Sequence, residues 1–161
     1  MSDRTSGNEQ ARSASPVTEG GQPVTERLDE AECLRLISPG GVGRIAYVSR
    51  YGPVVVPVNY QLYEGTIVFR TDQDSPMDED LRTGITDAEY KVAFEIDEID
   101  VAAREGWSVL LQGPAHHVDS EAERSLVIQA AVQPWPGGEK GLFLRIVPTR
   151  ITGRRIRRTT R

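Results

Sequence analysis

Hydrophobic and polar positions along this chain alternate mostly with a period of two, in short runs separated by Gly, Pro and Asp. That is the pattern of half-buried β-strands joined by tight turns. It first departs from this at residues 28–37. Asp29 followed by Glu32 has capping-box spacing, Leu28 and Cys33 can form a hydrophobic staple around it, and Cys33, Leu34, Leu36 and Ile37 mark one helical face. Ser38-Pro39-Gly40-Gly41 ends that helix. Strands are then expected over Val42–Ser49 and Val54–Leu62, with a turn at Arg50–Pro53. Pro57 lacks an N–H, so its stretch should be an edge, a bulge or a place where the sheet opens. Glu64-Gly65 reads as a hairpin turn into a strand over Thr66–Thr71. Beyond it come a short helix from Asp78 to Thr83, a strand over Lys91–Ile96, and a long strand over Trp107–Val118 bent at Gly113-Pro114. Asp119 is expected to cap a helix reaching about Ala131, Pro134–Gly138 to loop, and Leu142–Thr152 to form the last strand.

Some six strands with short connections and few helices predict a mainly β chain, a small antiparallel barrel or sandwich with helical decorations. Residues 1–27 are rich in Ser, Gly, Glu, Gln and Pro and offer little apolar surface, so they are expected to be disordered. Residues 28–153 form the expected domain, and 154–161 a basic C-terminal tail. No internal repeat is evident.

Charge sharpens this division. Residues 28–149 hold 20 acids against 10 Lys and Arg, whereas residues 150–161 hold six Arg and no acid. An acidic body argues against nucleic-acid binding by the domain, and the Arg run reads as a solvated terminus or a partner for acidic surface. The single cysteine, Cys33, excludes an internal disulfide and reads as a buried small hydrophobe. With no long apolar run and no apolar leader at the N-terminus, the expectation is a cytoplasmic protein without a membrane span.

Side chains that carry catalysis are not evident. SPGGVGR precedes a strand and lacks the Lys-Ser/Thr of a phosphate loop. His116 and His117 are adjacent on a strand, point to opposite faces and so do not share a metal; no metal site is expected. Glu95, Asp97, Glu98 and Asp100 read as a solvated strand end. A chain without an evident acid, base or nucleophile still suits redox chemistry, because there the cofactor does the reaction and the protein binds and tunes it.

The segments GRIAYVSRYGPVVVPVNYQLYEGTIVFRT, VAFEIDEI, WSVLLQGPAHHV, PWPGG and LRIVPTRITGRRI, in that order, resemble the pyridoxamine 5′-phosphate oxidase-like family of FMN-binding split barrels over about residues 28–157. The resemblance implies a six-stranded antiparallel Greek-key split barrel and a homodimer with two flavin sites at the subunit interface. It also implies FMN-dependent oxidation or reduction of a small organic substrate. On this chain it would lay the backbone of Val56, Pro57, Val58 and Asn59 along the isoalloxazine ring. Phe69, Arg70 and Thr71 would approach the ribityl chain and phosphate, with Trp107 and Trp135 available to stack. The family typically follows that strand with a small residue and then Lys or Arg. Here Ser75 matches, but Pro76 or Met77 stands where the cation belongs. Five acids, Asp72, Asp74, Asp78, Glu79 and Asp80, crowd the same stretch. Arg70, Arg82 or a partner's Arg from 154–158 are the candidate substitutes. The rival reading is a non-catalytic split-barrel dimer, a ligand-binding or stress-related accessory protein that binds flavin weakly or not at all. A deazaflavin, haem or no cofactor in place of FMN stays open. Vitamin B6 synthesis is not supported, since a basic set for a second phosphate is missing.

Overall fold

Alternating patterns this short bury their apolar face only when the sheet curls on itself, and that is what the strands do. The structure, a computed structural model, describes residues 21–82, 89–130 and 141–158. The strands are β1 (Pro23–Leu28), β2 (Gly41–Ser49), β3 (Gly52–Tyr63), β4 (Thr66–Thr71), β5 (Tyr90–Asp100), β6 (Glu105–His117), β7 (Leu142–Ile146) and β8 (Arg150–Arg158). The helices are α1 (Glu30–Ile37), α2 (Pro76–Leu81) and α3 (Glu121–Ile128). All pairings among the described residues are antiparallel, in the order β1-β8-β6-β5-β2-β3-β4-β7. A further pairing of β7 with β6 closes β6, β5, β2, β3, β4 and β7 into a six-stranded barrel.

The barrel is filled, not hollow. Ile45, Phe69, Phe94, Leu111, Leu144 and Ile146 are fully buried in its main core. Phe94 is the centre, edge-on to Tyr60 at 5.5 Å and tilted against Phe69 at 6.1 Å. Its ring occupies the space a Cβ at Gly43 would need. The Glu64-Gly65 turn has both residues at positive φ, 47° and 74°, the geometry of a two-residue hairpin.

β6 changes partner along its length, which splits the barrel. Gly106–Gln112 pairs with β8, and Ala115–His117 with β7. The expected strand over Leu142–Thr152 is therefore two strands. The break falls where Val147 N donates to Pro114 O (3.0 Å) and Thr149 N to Gln112 O (2.8 Å). A side chain at Gly113 would collide with the Val147 carbonyl, so the bend expected at Gly113-Pro114 is the change of partner.

Two expected boundaries are corrected. Residues 154–158 are not a tail: they complete β8, and Arg155 is half-buried, paired with Glu32 of α1 at 2.6 Å. Residues 23–27 are not disordered: with Leu28 they form β1 against β8. Most of β1 is exposed. The backbone ladder holds it rather than apolar burial, so a prediction from composition missed it. The rest of the segment expected to be disordered, residues 1–20, lies outside the described residues.

α1 is built as predicted. Asp29 accepts from Glu32 N at 2.8 Å, and the helix buries Cys33 and Ile37 completely. Tyr60 Oη donates to Ile37 O (2.9 Å) and ties its end to β3. α3 is capped by Ser120, not Asp119, through a bond from Glu123 N to Ser120 Oγ (3.1 Å). It covers a second, smaller core of Val68, Val118, Val127 and Phe143 on the outer face of the barrel.

Candidate functional site

Between Gly52 and Asn59, β3 has β2 along one edge and no strand along the other among the described residues, because pairing with β4 begins only at Tyr60. The sheet thus opens where Pro57 stands, as a proline without an N–H suggests. Val54 and Val56, on the core-facing side of this stretch, remain half-buried. Beside them lies a cavity of about 510 Å³, open to one side. Its size falls within the range of small-molecule sites.

The β2–β3 hairpin, the end of β4 and α2 wall the cavity. Tyr47, Val54 and Val56 come from β2 and β3. Ser49, Arg50 and Tyr51 form the turn between those strands, held by Ser49 Oγ, which donates to Gly52 O and accepts from Tyr51 N. Thr71 at the end of β4 leads into the third wall, α2 with its cap, which adds Ser75, Pro76, Met77, Glu79 and Asp80.

α2 has only six residues, and a helix that short needs tertiary anchoring. Asp78 supplies it. Its carboxylate is 1% exposed and accepts from Asp74 N (2.8 Å), Arg82 Nε (2.8 Å) and His117 Nε2 (2.7 Å). Burial alone would push this carboxyl up, but the three donors outweigh it and hold it below the ordinary Asp range. Ser75 Oγ accepts from Asp78 N (3.2 Å) and lies 3.0 Å from Thr71 Oγ1. The ends of β4 and β6 are thereby locked to the cavity wall.

The acids of α2 divide by face. Asp78 turns inward and is compensated. Glu79 and Asp80 line the cavity, and among the described residues neither has an ion-pair partner. The Tyr47 hydroxyl is pushed above its usual value, first by burial and then by the nearby Asp80 charge. Arg50, the cavity's cation, lies over the Tyr51 ring at 4.9 Å.

Of the residues singled out by sequence, Val56, Thr71, Ser75 and Met77 meet at this cavity. Pro57, Val58 and Asn59 lie on the adjoining open stretch of β3. Phe69 does not reach the cavity and is buried in the main core. Arg70 alternates to the other face of β4 and stacks on Phe143 at 5.0 Å, on the α3 side. Trp107 packs against the main core and stands opposite Glu98 and Arg155. Arg82 is committed to Asp78, and Arg155 to Glu32. Trp135 and the Pro134–Gly138 loop lie outside the described residues. The two histidines do part company: His117 goes to Asp78 and His116 to Glu123 (3.3 Å) under α3. Sequence reasoning missed the Asp78–His117 link, and the 39 positions between them carry no local signal for it. No group of three potential metal ligands occurs among the described residues.

The sequence model of the pyridoxamine 5′-phosphate oxidase family matches residues 29–155. The chain belongs to this family. An uncharacterized protein of Mycobacterium tuberculosis, Rv0080, is 32% identical over 146 residues, covering 91% of this chain and 93% of that one. The structure of an FAD-binding protein from Mycobacterium smegmatis superposes with a TM-score of 0.68 at 31% identity, covering 82% of this chain and 100% of that one. An FAD-binding protein from Mesorhizobium loti, at 21% identity and a TM-score of 0.65, covers 82% of this chain and 98% of its own and shares the fold. The match to the pyridoxamine 5′-phosphate oxidase family covers all six strands of the barrel. The family match also spans β2, β3, β4 and α2, the elements that wall the cavity.

Proposed function

We propose that this protein binds a flavin, FMN in the cell, against the open stretch of β3 and in the adjoining cavity. We further propose that it uses the flavin to oxidise or reduce a small organic molecule. The observation that carries this reading is the coincidence at one place of a β3 edge, Gly52–Val58, with no strand beside it among the described residues, two half-buried valines and a cavity with a mostly apolar wall. A flat ring system fits such a site: its faces cover Val54 and Val56, and its polar edge meets backbone groups that lack a strand partner. Flavin supplies one- and two-electron redox chemistry when bound. This chain's residues would orient the ring through β3 and exclude water from one face through Met77 and Tyr47. The FAD-binding relative at 31% identity supports the flavin class.

A homodimer is part of the proposal. The outer face of β2 and β3 exposes Val48 (58%) and Val55 (64%), with Ala46 opposite Val55 and Pro53 opposite Val48. An apolar sheet face of this kind is suited to burial against a second copy. Cytoplasmic location is proposed with it. No helix among the described residues is long and apolar enough to cross a membrane.

The test is direct. Purified protein incubated with FMN or riboflavin should quench flavin fluorescence saturably at one site per chain, and light scattering should give a dimer. A protein that no flavin titrates would leave the non-catalytic split-barrel reading. Glu79 and Asp80, without an ion-pair partner among the described residues, favour that rival, since they disfavour an anionic ligand.

A further inference from the structure

The charge on the cavity wall has a consequence for which flavin the site holds, and how firmly. α2 presents three successive acids, and among the described residues only Asp78 has cationic or N–H partners for its carboxylate. Glu79 is exposed and Asp80 half-buried. Both line the cavity, and Arg50, the cation in the same lining, lies over its neighbour's ring. In about 510 Å³, an anionic group has little room to stand clear of both carboxylates. The remainder of the lining rewards apolar and hydroxyl contact: Tyr47, Val54, Val56 and Met77 on one part, Ser49, Thr71 and Ser75 on another.

Resting on the flavin reading above, we propose that Glu79 and Asp80 are specificity-determining residues that select against phosphate. FMN then binds no more tightly than riboflavin and exchanges with the free pool instead of remaining as a fixed prosthetic group. The recognised chemistry is the uncharged ring system and its polyol. A phosphomonoester carries between one and two negative charges near neutral pH, so it meets net repulsion here. Asp80 beside Tyr47 makes the effect local, because the phenol already responds to that charge.

The experiment is a titration of the full chain with riboflavin, FMN and FAD at low and at 1 M salt. The chains are wild type, Glu79→Gln/Asp80→Asn, and Pro76→Lys. Pro76 is exposed at the cavity, so that variant adds a cation without disturbing the core and serves if the double variant folds poorly. Wild type should bind riboflavin at least as tightly as FMN. Each variant should tighten FMN roughly 3- to 30-fold while riboflavin moves less than about twofold, and the gain should shrink in high salt. Wild type binding FMN more than about tenfold tighter than riboflavin would overturn the proposal, as would variants that shift both ligands equally. Failure of every chain to bind riboflavin would overturn the flavin reading and this inference with it. Binding of riboflavin with a strong preference for FMN would overturn this inference alone.

Discussion

α1 and α2 are alike in sequence logic and opposite in use. Both are short, both start from a side-chain cap, and both are acidic in the first turn. In α1 the half-buried acid Glu32 is held by Arg35 (2.7 Å) and Arg155 (2.6 Å), and these hydrogen bonds lower its pKa to about 2. Cys33 and Ile37 are sealed in the core, and the Cys33 sulfur fills the space beside Gly153. α1 is part of the main core. In α2 only Asp78 is spent on structure, and the next two acids are left facing a cavity. Local charge that folding does not consume is where a ligand site is to be sought.

Removing the anchor of α2 should have the largest effect. Asp78→Ala leaves Arg82 and His117 without their shared acceptor and frees the cavity wall. Half-exposed Arg82 can be rehydrated, but the Asp74 N–H and buried His117 lose their acceptor, at about 1–3 kcal/mol each. A calorimetric scan should show a Tm drop of more than about 10 °C. Glu32→Gln, the matched change in α1, should lower Tm less, because its pairs are screened. An equal drop would erase the contrast between the helices.

Met77→Lys comes next. It places a cation where the family resemblance expects one, but Met77 is only 7% exposed and packs in the main core. Burying an ammonium there should cost about 2–4 kcal/mol in a urea melt. Pro76→Lys, one residue away and exposed, should leave stability within about 1 kcal/mol.

Deleting residues 1–27 should lower Tm by about 5 °C or more, because the β1–β8 ladder goes with them. An unchanged Tm would show that the ladder adds nothing to the barrel.

The smallest effects are with pH. Folding lowers the Asp78 pKa, so its contribution is complete above the unfolded value of about 3.9 and is lost as pH falls through the lower folded value. Burial pushes the Tyr60 hydroxyl up to about 12, so its contribution is complete below about 10 and fades as pH rises toward 12. Stability measured across pH 2–12 should fall at both ends, and Tyr60→Phe should flatten the alkaline limb.

Strands, hairpin and the α1 cap were legible in the sequence because period, turn chemistry and capping are local. The barrel needed the family resemblance, since alternation alone fits a sandwich as well. β1 escaped because its support is a ladder to residues some 130 positions away. The site was legible in part. Val56, Thr71, Ser75 and Met77, which the resemblance placed by motif order, line one cavity. Arg70 is not in that lining, because alternation along β4 puts it on the other face, over Phe143. The acids of the 72–80 stretch looked alike in sequence, and only packing separates the buried Asp78 from the cavity-facing Glu79 and Asp80.

The central claim is that the cavity beside β3 and α2 receives a flavin, and filling it tests this most directly. Val56→Trp puts an indole into the space from a half-buried position that β2 holds in register with Ile45. Riboflavin fluorescence is titrated with wild type and variant, with Tm measured alongside. The account predicts saturable quenching by wild type and at least tenfold weaker binding by a variant whose Tm stays within a few degrees. Equal binding by the two would place any flavin elsewhere and contradict the account.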